Sequence, residues 1–525
     1  MNKKQYILLF LCLAGLAVLV LLSGFLFRNL NGPFTDTLFR ARYAIKSREI
    51  VFPDLLSIQL DDNTIRLFNV PDNDRKIFTL LVDSLNKGKA GTIVFDILFR
   101  LPGDFEEDSR LSASLENNHN VIFPVVPKIK KTELIDNELL KDLKTFIIYP
   151  ENKSSISFPK ISDVILPYEK YLLSVKSIGG ILLEGDDDGI IRQLPLLYSC
   201  GKGYIPSIIL AGVCHYLKVP LSSIKITSSR FLVIPDIQHP YYRYKSLFIP
   251  LDFEGNMIIN FAGPWEDSIK SYSVSSFLNQ ELEPLLEDLF ENTLVIVADM
   301  TSVKKDFSKG IFDPVIPNSA ILFNGMNTLL SRNFLFQQNG MVSSFFILLL
   351  FGEFLLFLIL ARKYPFWNKT AGLSIYTFVV VLSFCLFNSI LFVCFNILPH
   401  SVSNLLAALF IIIYTARVRP YFIQITQPLT QAPSIFERKM TGILKQSPGE
   451  PENPQLINSV LREKLKLTQK EAEVAILLID GKQYKEICAL LHINESTVKF
   501  RIHRIYGRCK VGNKIEFCNL VREKL

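Results

Sequence analysis

The chain has 525 residues, more than one ordinary domain usually holds. Hydrophobic residues make up 49% of it and the mean hydropathy is +0.27, which is high for a purely water-soluble protein. The net charge of +7 is modest, and the segment 461–525 alone carries fourteen Lys and Arg against eight Asp and Glu. These values exclude a single small soluble domain and a chain that is basic throughout.

The chain starts with an apolar run, residues 6–27, that is long enough to cross a bilayer. The run is longer than the apolar core of a typical signal peptide, and no A-x-A cleavage site follows it. We therefore expect residues 1–27 to be an uncleaved transmembrane anchor, with cleavage as the alternative. Lys3 and Lys4 precede the run and predict a cytoplasmic N-terminus.

The segment 28–340 contains apolar runs typical of strands, with helical patterns between some of them. A helix is predicted over residues 75–86. The predicted strands cover 55–60, 92–95, 121–126, 178–183, 257–261 and 293–298. This alternation predicts a mixed α/β domain on the far side of the membrane.

Acidic residues follow or end three of the predicted strands, and an Asp-Asp-Asp-Gly run occupies 186–189. Such residues often cap turns, but carboxylates gathered at strand ends also resemble a ligand crevice. Calcium is conceivable at the run 186–189, but its spacing is not that of an EF-hand loop, and we predict no metal site. The candidate ligand-binding residues are Asp61, Asp96, Asp188, Arg192 and Asp299.

Three more apolar segments, 341–361, 371–395 and 402–416, predict membrane spans. Basic residues flank the loop after the first of them and follow the third, which places both regions in the cytoplasm. With the anchor, four crossings return the chain to the side on which it began. The sequence thus predicts a multi-pass bacterial inner-membrane protein with both termini cytoplasmic.

Residues 418–460 contain six prolines and few apolar clusters, and they predict a tether. The segment 461–525 then has the signals of a helical domain. Thr468 is a good N-cap, with Glu471 placed to complete a capping box, and Asp480-Gly481 ends that helix. A second helix over 484–491 and a third from Glu495, capped by Asn494, predict a helix-turn-helix.

The segment 461–525 resembles the LuxR/NarL-type DNA-binding domain, an all-α module of four helices. The family pattern approximates LT-x-x-E-x-E-V, G-x-x-x-K-E-I-A, I-S-x-x-T-V-K and V-x-N-R-x-E. The residues that match it are Leu467, Thr468, Glu471, Glu473, Val474, Gly481, Lys485, Glu486, Ile487, Leu491, Ile493, Thr497, Val498, Lys499, Val511, Asn513 and Glu516. The sequence departs from the pattern at Cys488, Asn494, Arg501 and Lys514.

The resemblance implies that the third helix reads DNA. Lys499, Phe500 and His503 are the candidates for base contacts, since they share one side of that helix. The candidates for the remaining DNA contacts, mostly to phosphate, are Thr497, Arg501, Arg504, Lys482, Lys485 and Lys514. For each of the basic residues a solvated surface charge is the alternative.

The segment 28–340 resembles a CHASE2 domain, an extracytoplasmic sensor found on bacterial cyclases, kinases and regulators. Its matching stretches are SIQLDD (57–62), VPDNDRKIFTLLVDSLNKGKAGTIVFDILF (70–99), DDDGIIRQLPLL (186–197), IPLDFEGNMIINFAGP (249–264), VIVADMTSVKKDF (295–307) and IPNSAILFNGMNTLL (316–330). The resemblance implies a sensor followed by three spans before an output domain. Asp299, Asn318 and Phe323 depart from the expected residues, which leaves the ligand open.

Enzymatic motifs are missing from the sequence: it has no Walker A loop, GxSxG elbow, HExxH or paired CxxC. A disulfide between Cys200 and Cys214 is permitted but not required. We predict no enzyme, no catalytic residue and no cofactor. The predicted function is that of a homodimeric transcriptional regulator that senses an extracytoplasmic ligand and binds DNA. The alternatives are a non-regulatory DNA tether, and a membrane enzyme, transporter or sensor whose C-terminal module binds protein.

Overall fold

The computed structural model describes residues 31–46, 51–68, 74–129, 143–426 and 454–524, except 154, 241, 280–281 and 302–306. It also describes five helical positions between residues 7 and 18. The chain forms two compact units, Met1–Thr426 and Gln427–Leu525. Most of the predicted anchor over 1–27, and the part of the predicted tether between 427 and 453, lie outside the described residues.

The first unit combines helices and strands, in agreement with the predicted α/β class. Its strands are β1 (Leu55–Leu60), β2 (Thr92–Asp96), β3 (Val121–Lys128), β4 (Glu151–Asn152), β5 (Asp163–Ile165), β6 (Ser177–Gly180), β7 (Gln193–Pro195), β8 (Leu197–Cys200), β9 (Gly203–Pro206), β10 (Lys225–Ile226), β11 (Phe231–Ile234), β12 (Leu247–Pro250), β13 (Asn256–Ile258), β14 (Ser271–Ser273), β15 (Leu294–Asp299), β16 (Phe307–Ser308), β17 (Ile316–Pro317), β18 (Phe336–Gln337) and β19 (Ile397–Leu398).

Helices of the first unit lie before, between and after these strands along the chain. They are α1 (Asn31–Lys46), α2 (Asp62–Phe68), α3 (Arg75–Lys87), α4 (Phe105–Asn117), α5 (Glu169–Ser174), α6 (Ile208–Tyr216), α7 (Trp265–Ser268), α8 (Val274–Leu278), α9 (Leu286–Phe290), α10 (Asn318–Leu330), α11 (Gly340–Lys363), α12 (Thr370–Phe395) and α13 (Ser401–Thr426). The predicted helix over 75–86 corresponds to α3 and differs from it by one residue.

A seven-stranded sheet is the centre of the first unit. Its strand order is β14-β1-β15-β2-β3-β5, and β6 also pairs with β3. All pairs are parallel except β3 with β5. Because successive side chains of a strand point to opposite faces, the residues of β1 and β15 alternate between two hydrophobic cores. Leu55 and Ile296 face one core, whereas Leu56 and Val295 face the other.

Helices cover both faces of this sheet, as parallel sheets require. On one face α3 and α4 supply Phe78, Leu81 and Leu111 to the core. On the other face α6 contributes Ile209 and α10 contributes Met326 to the core. The carboxyl ends of β1, β15 and β2 meet at one edge of the sheet, since Leu60 pairs with Asp299 and Ala298 with Asp96. A smaller four-stranded sheet, in the order β12-β11-β10-β4, lies elsewhere in the unit.

Three helices of the first unit are long and apolar enough to cross a membrane. They are α11, α12 and the segment Ser401–Val418 of α13, in agreement with three of the four predicted spans. The third helix continues to Thr426, so the first residues of the predicted tether are helical. Packing between the three helices is dominated by aromatic side chains, with Phe346 stacked on Phe387 and Phe357 against Tyr376.

The second unit is all-helical in its described part. Its helices are α14 (Pro454–Ser459), α15 (Gln469–Ile479), α16 (Tyr484–Leu491), α17 (Glu495–Cys509) and α18 (Lys514–Lys524), with a π-helical turn over Val460–Lys464. Leu461, Val474, Ile487, Val498 and Phe517 come from different elements and form one closed core. The prediction of a helix-turn-helix, with its helix boundaries, is confirmed.

Candidate functional site

The predicted DNA-reading helix, α17, is held in place by signals that are visible in the sequence. The Asn494 side chain accepts a hydrogen bond from the Thr497 N–H at 2.9 Å and so caps the helix. His492 ends α16 in the left-handed conformation, with φ of 48°. Val498, Ile502 and Ile505 are buried against the core. The remaining faces of α17 therefore point away from the domain.

Lys499, Phe500 and His503, the three candidates for base contacts, are all exposed on α17. Phe500 is 61% exposed, although burial of a large apolar side chain is favourable. Lys499 donates to the Glu495 carboxylate at 2.8 Å, and this hydrogen bond raises the pKa of Lys499 and lowers that of Glu495. The i, i+4 spacing of this pair was readable from the sequence, but the prediction omitted Glu495.

The basic candidates for phosphate contacts are not equivalent in the structure. Lys482 and Lys485 are exposed at and just before the start of α16, whereas Arg501 and Lys514 are half-buried. Arg504 places its Nε 3.3 Å from the carboxylate of Glu471, so part of its charge is used within the domain. Thr497 is half-buried too, and its hydroxyl donates to the Asn494 side chain.

Glu471 has a larger structural role than the helix capping that the sequence predicts. It accepts from the Thr468 N–H at 2.9 Å, as the capping box predicts. The same carboxylate also accepts a hydrogen bond from Arg508 Nη1 at 2.8 Å, although the Glu471 side chain is only 4% exposed. Glu471 therefore joins the first helix of the motif to the C-terminal turn of α17, which fixes how α17 is presented.

Three of the predicted ligand-binding residues, Asp61, Asp96 and Asp299, do meet at the carboxyl edge of the large sheet. Two of them serve local turns. Asp61 Oδ1 accepts from the Thr64 N–H at 2.7 Å, and Asp299 Oδ1 accepts from the Thr301 N–H at 3.0 Å. Among the described residues no group of three or more His, Cys, Asp or Glu is placed to hold a metal ion. The geometry favours turn capping at this edge.

The other two predicted ligand-binding residues, Asp188 and Arg192, lie in a different place. The Arg192 side chain is 9% exposed and forms ion pairs with three carboxylates. Its Nε and Nη2 donate to Asp36 of α1, both at 2.9 Å, and Nη1 donates to Asp186 at 2.7 Å. Nη1 and Nη2 also donate to Asp188. These hydrogen bonds lower the pKa of Asp188, although its partial burial acts in the opposite direction. All five donors of the guanidinium are thus used.

A cavity of about 510 Å³ lies beside Arg192. It is bounded by the start of α1, by the loop that holds Asp186 and Asp187, and by the segments that precede α11 and α13. Its lining residues are Asn31, Gly32, Thr35, Asp186, Asp187, Arg192, Gln193, Arg230, Asp252, Phe253, Ile258, Gln337, Gln338, Asn339, Leu398, Pro399 and His400. This volume lies within the range of about 300–1,000 Å³ that is typical of ligand pockets. Of the lining residues, the sequence pattern singles out only Asp186, Asp187 and Arg192.

A buried amide network lies next to the cavity, at one end of the three membrane-type helices. Gln338 precedes α11, Asn388 belongs to α12 and Asn404 to α13. Asn404 Nδ2 donates to Gln338 Oε1 and to Asn388 Oδ1, both at 3.1 Å. Gln338 also accepts from the backbone N–H of His400 at 2.8 Å. The cavity is therefore connected through hydrogen bonds to all three of these helices.

The two cysteines of the predicted sensor, Cys200 and Cys214, are both buried with free thiols. Burial raises the pKa of the Cys200 thiol to about 11 and that of Cys214 still further. Cys200 packs in one core of the large sheet and Cys214 in the other. Both behave as small apolar side chains in the core.

Comparison with known proteins gives two family matches. The model described as CHASE2 domain matches residues 11–361, which is more than half of the chain. The model described as Sigma-70, region 4 matches residues 458–509, which contain the helix-turn-helix. No curated protein and no solved structure matches the chain. The second match supports a DNA-binding helix-turn-helix of the sigma-70 region 4 type, and the LuxR-type assignment remains a prediction.

Proposed function

Because this chain belongs to the CHASE2 domain family, we propose that it is a membrane-anchored transcriptional regulator whose C-terminal unit binds DNA. The observation that carries the proposal is the exposed surface of α17, with Lys499, Phe500 and His503 side by side on a helix that a helix-turn-helix presents to the major groove. A CHASE2 domain is an extracytoplasmic sensor, and along the chain three helices of suitable length and composition follow the large sheet and precede the DNA-binding residues.

The topology follows from the same arrangement. DNA is accessible in the cytoplasm, and a sensor must lie on the opposite side of the membrane. In this proposal the three helices that are long and apolar enough to cross a membrane, an odd number, connect the two sides. Residues 6–27 then form a fourth span that starts in the cytoplasm, as Lys3 and Lys4 favour. The location is the inner membrane of a bacterium.

The DNA-binding unit acts as a LuxR-type module in this proposal, and two copies of the chain bind paired half-sites. The sequence match at Thr468, Glu471, Thr497, Val498 and Lys499 supports the LuxR assignment. Signal transfer requires that a change in the sensor alter the arrangement of the spans. The amide network at the ends of α11, α12 and α13 supports this route, because the network adjoins the sensor cavity. The chain has no enzymatic role in this scheme.

Selection of bound DNA from a random pool tests the proposal. The fragment 454–525 is suitable, because its described residues form a closed core of their own. We expect a defined sequence motif and an affinity that falls steeply with salt concentration. Binding without base preference would support a DNA tether instead, and failure to bind DNA at any salt concentration would overturn the proposal. A topology reporter fused after Leu525 is expected to be active in the cytoplasm.

A further inference from the structure

We propose that the cavity beside Arg192 binds a small zwitterion, a molecule with an ammonium group and a carboxylate or phosphate a few bonds apart. This inference deepens the proposed function, because it gives the ligand class of the sensor. Two charged groups of opposite sign in the cavity lining, Arg230 and Asp186, carry the argument.

Arg230 is the group with spare hydrogen-bond donors. Its guanidinium carbon lies over the Phe253 ring, 3.8 Å from the ring centroid. Within the part of the chain that the structure describes, this guanidinium donates no hydrogen bond. A guanidinium with unused N–H groups can bind a carboxylate or phosphate through two hydrogen bonds. Arg230 therefore suits an oxyanion.

Asp186 is the complementary group. Its Oδ2 accepts from Arg192 at 2.7 Å, but Oδ1 accepts no hydrogen bond from any described residue. The Asp186 side chain is 40% exposed, so a ligand can reach it. A carboxylate that keeps one oxygen free accepts strong hydrogen bonds from an ammonium group. Arg192 cannot compete for a ligand, because Asp36, Asp186 and Asp188 already occupy its donors.

The charge balance of the cavity favours a zwitterion over an ion. Asp186, Asp187 and Asp252 line it together with Arg192 and Arg230, so acidic and basic groups are both present and acids are in slight excess. An anion would be repelled by the excess of carboxylates, and a simple cation would leave the N–H groups of Arg230 without an acceptor. A molecule that carries both charges meets a partner at each end.

The position of the cavity connects such a ligand to the spans. Gln337, Gln338 and Asn339 line the cavity and lead directly into α11. His400 lines it and immediately precedes α13, while Asn31 and Thr35 belong to α1. A ligand in the cavity therefore contacts the ends of two membrane-type helices as well as the sensor loops. Binding can shift their relative positions if the ligand prefers one arrangement.

Two sources supply this chemistry, free α-amino acids and the ethanolamine phosphate headgroup of a phospholipid. The test uses the full chain in phosphatidylglycerol nanodiscs, titrated with each α-amino acid singly and with phosphoethanolamine. A second arm compares nanodiscs with and without phosphatidylethanolamine. Thermal unfolding reports binding, since a ligand that binds the folded state raises the unfolding temperature. We expect stabilisation in at least one arm.

Chemical analogues and variants identify the site. The amide of an active amino acid lacks the carboxylate and its N-acetyl form lacks the ammonium, and each is expected to bind about tenfold more weakly or worse. Arg230→Gln and Asp186→Asn are expected to weaken binding to a similar extent. Arg243→Gln and Asp288→Asn are matched controls, because both residues are exposed and lie outside the cavity lining.

Absence of stabilisation in both arms would overturn the inference, and so would unchanged binding by Arg230→Gln and Asp186→Asn. A variant that fails to fold is recognised by its far-ultraviolet circular dichroism, and the other variant then decides. The outcome is separable from the proposed function. If the fragment 454–525 selects a DNA motif but no zwitterion binds, the inference fails alone. If a zwitterion binds and no DNA does, the proposed function fails alone.

Discussion

The carboxylate of Glu471 lies 2.8 Å from Arg508 Nη1 and connects the first helix of the DNA-binding motif to the last turn of α17. A second arginine of α17, Arg504, approaches the same carboxylate at 3.3 Å. Glu471 is nearly fully buried, whereas both arginines are partly exposed. The orientation of α17 thus depends on one buried acidic side chain.

Glu471→Ala is expected to destabilise the DNA-binding unit by about 2 kcal/mol, since it removes both the helix cap and the hydrogen bonds to the arginines. Urea unfolding of the fragment 454–525 measures this change. Glu473→Ala is the matched control, because Glu473 is exposed on the same helix. Its expected effect is within about 0.5 kcal/mol. Equal effects of the two substitutions would contradict a structural role for Glu471.

The pH dependence of this unit is expected to involve Glu471. Burial alone would raise the pKa of Glu471, but hydrogen bonds from Thr468 and the charges of Arg508 and Arg504 hold it below its ordinary value. A carboxylate with a lowered pKa stabilises the fold at pH above its unfolded value of about 4.3, and this stabilisation is lost as the pH falls through the folded-state pKa.

The expected result is a wild-type advantage over Glu471→Gln that is full at about pH 7 and much reduced at about pH 3. Urea unfolding at both pH values gives the difference. Glu473→Gln serves as the control and should track the wild type at both. A constant difference between the wild type and Glu471→Gln across this range would show that ionisation of Glu471 does not contribute.

Base reading and phosphate binding are expected to separate by residue. The double substitution Lys499→Ala with His503→Ala should change the selected motif, because both side chains are exposed on the predicted groove side of α17. Lys485→Ala should weaken binding to all sequences and reduce the slope of log K against log salt by about one. Electrophoretic mobility shifts at several salt concentrations distinguish the two, with Lys470→Ala as a control.

Local sequence signals were sufficient for the DNA-binding unit and for much of the large sheet. Caps such as Thr468 and Asn494 act within a few residues, so the ends of α15 and α17 could be predicted. Predicted strands 178–183 and 257–261 were too long, since β6 ends at Gly180 and β13 at Ile258. An apolar run indicates burial and does not show where strand pairing stops.

Contacts between distant positions could not be predicted. Asp36 and Arg192 are 156 residues apart, and no local pattern pairs them. Arg192 was a candidate because it follows an acidic run, but its partner Asp36 lies on α1, which is distant in sequence. The cavity beside Arg192 depends on six separate segments of the chain. Asp61 and Asp299 were correctly placed at one edge, but their hydrogen bonds to Thr64 and Thr301 depend on the local turns.

The Asp36–Arg192 pair is expected to stabilise the sensor. Asp36→Asn leaves a buried guanidinium with weaker partners, and we expect a loss of about 2–3 kcal/mol, somewhat below the cost of fully breaking a buried ion pair because Asp186 and Asp188 remain. Asp188→Asn is the comparison, since that side chain is 39% exposed, and its expected effect is about 1 kcal/mol or less. Thermal unfolding of the full chain in nanodiscs ranks the two, and a larger effect at Asp188 would contradict this assignment.

The amide network at the ends of the membrane-type helices is expected to affect signalling more than stability. Asn404 is 1% exposed and hydrogen-bonds to both Gln338 and Asn388, so Asn404→Leu removes contacts among α11, α12 and α13 without a large change in volume. Each such hydrogen bond between membrane helices contributes about 0.6 kcal/mol, so the full chain should still fold. Coupling between distant sites changes by about 0.5–2 kcal/mol when a connecting contact is lost, and basal expression of a reporter carrying the selected DNA motif should shift about two- to thirtyfold.

Asn368→Leu is the matched control, because Asn368 lies in the loop between α11 and α12, away from the network. An unchanged reporter in Asn404→Leu cells, with normal protein levels and normal DNA binding by the fragment 454–525, would exclude the network from signal transfer.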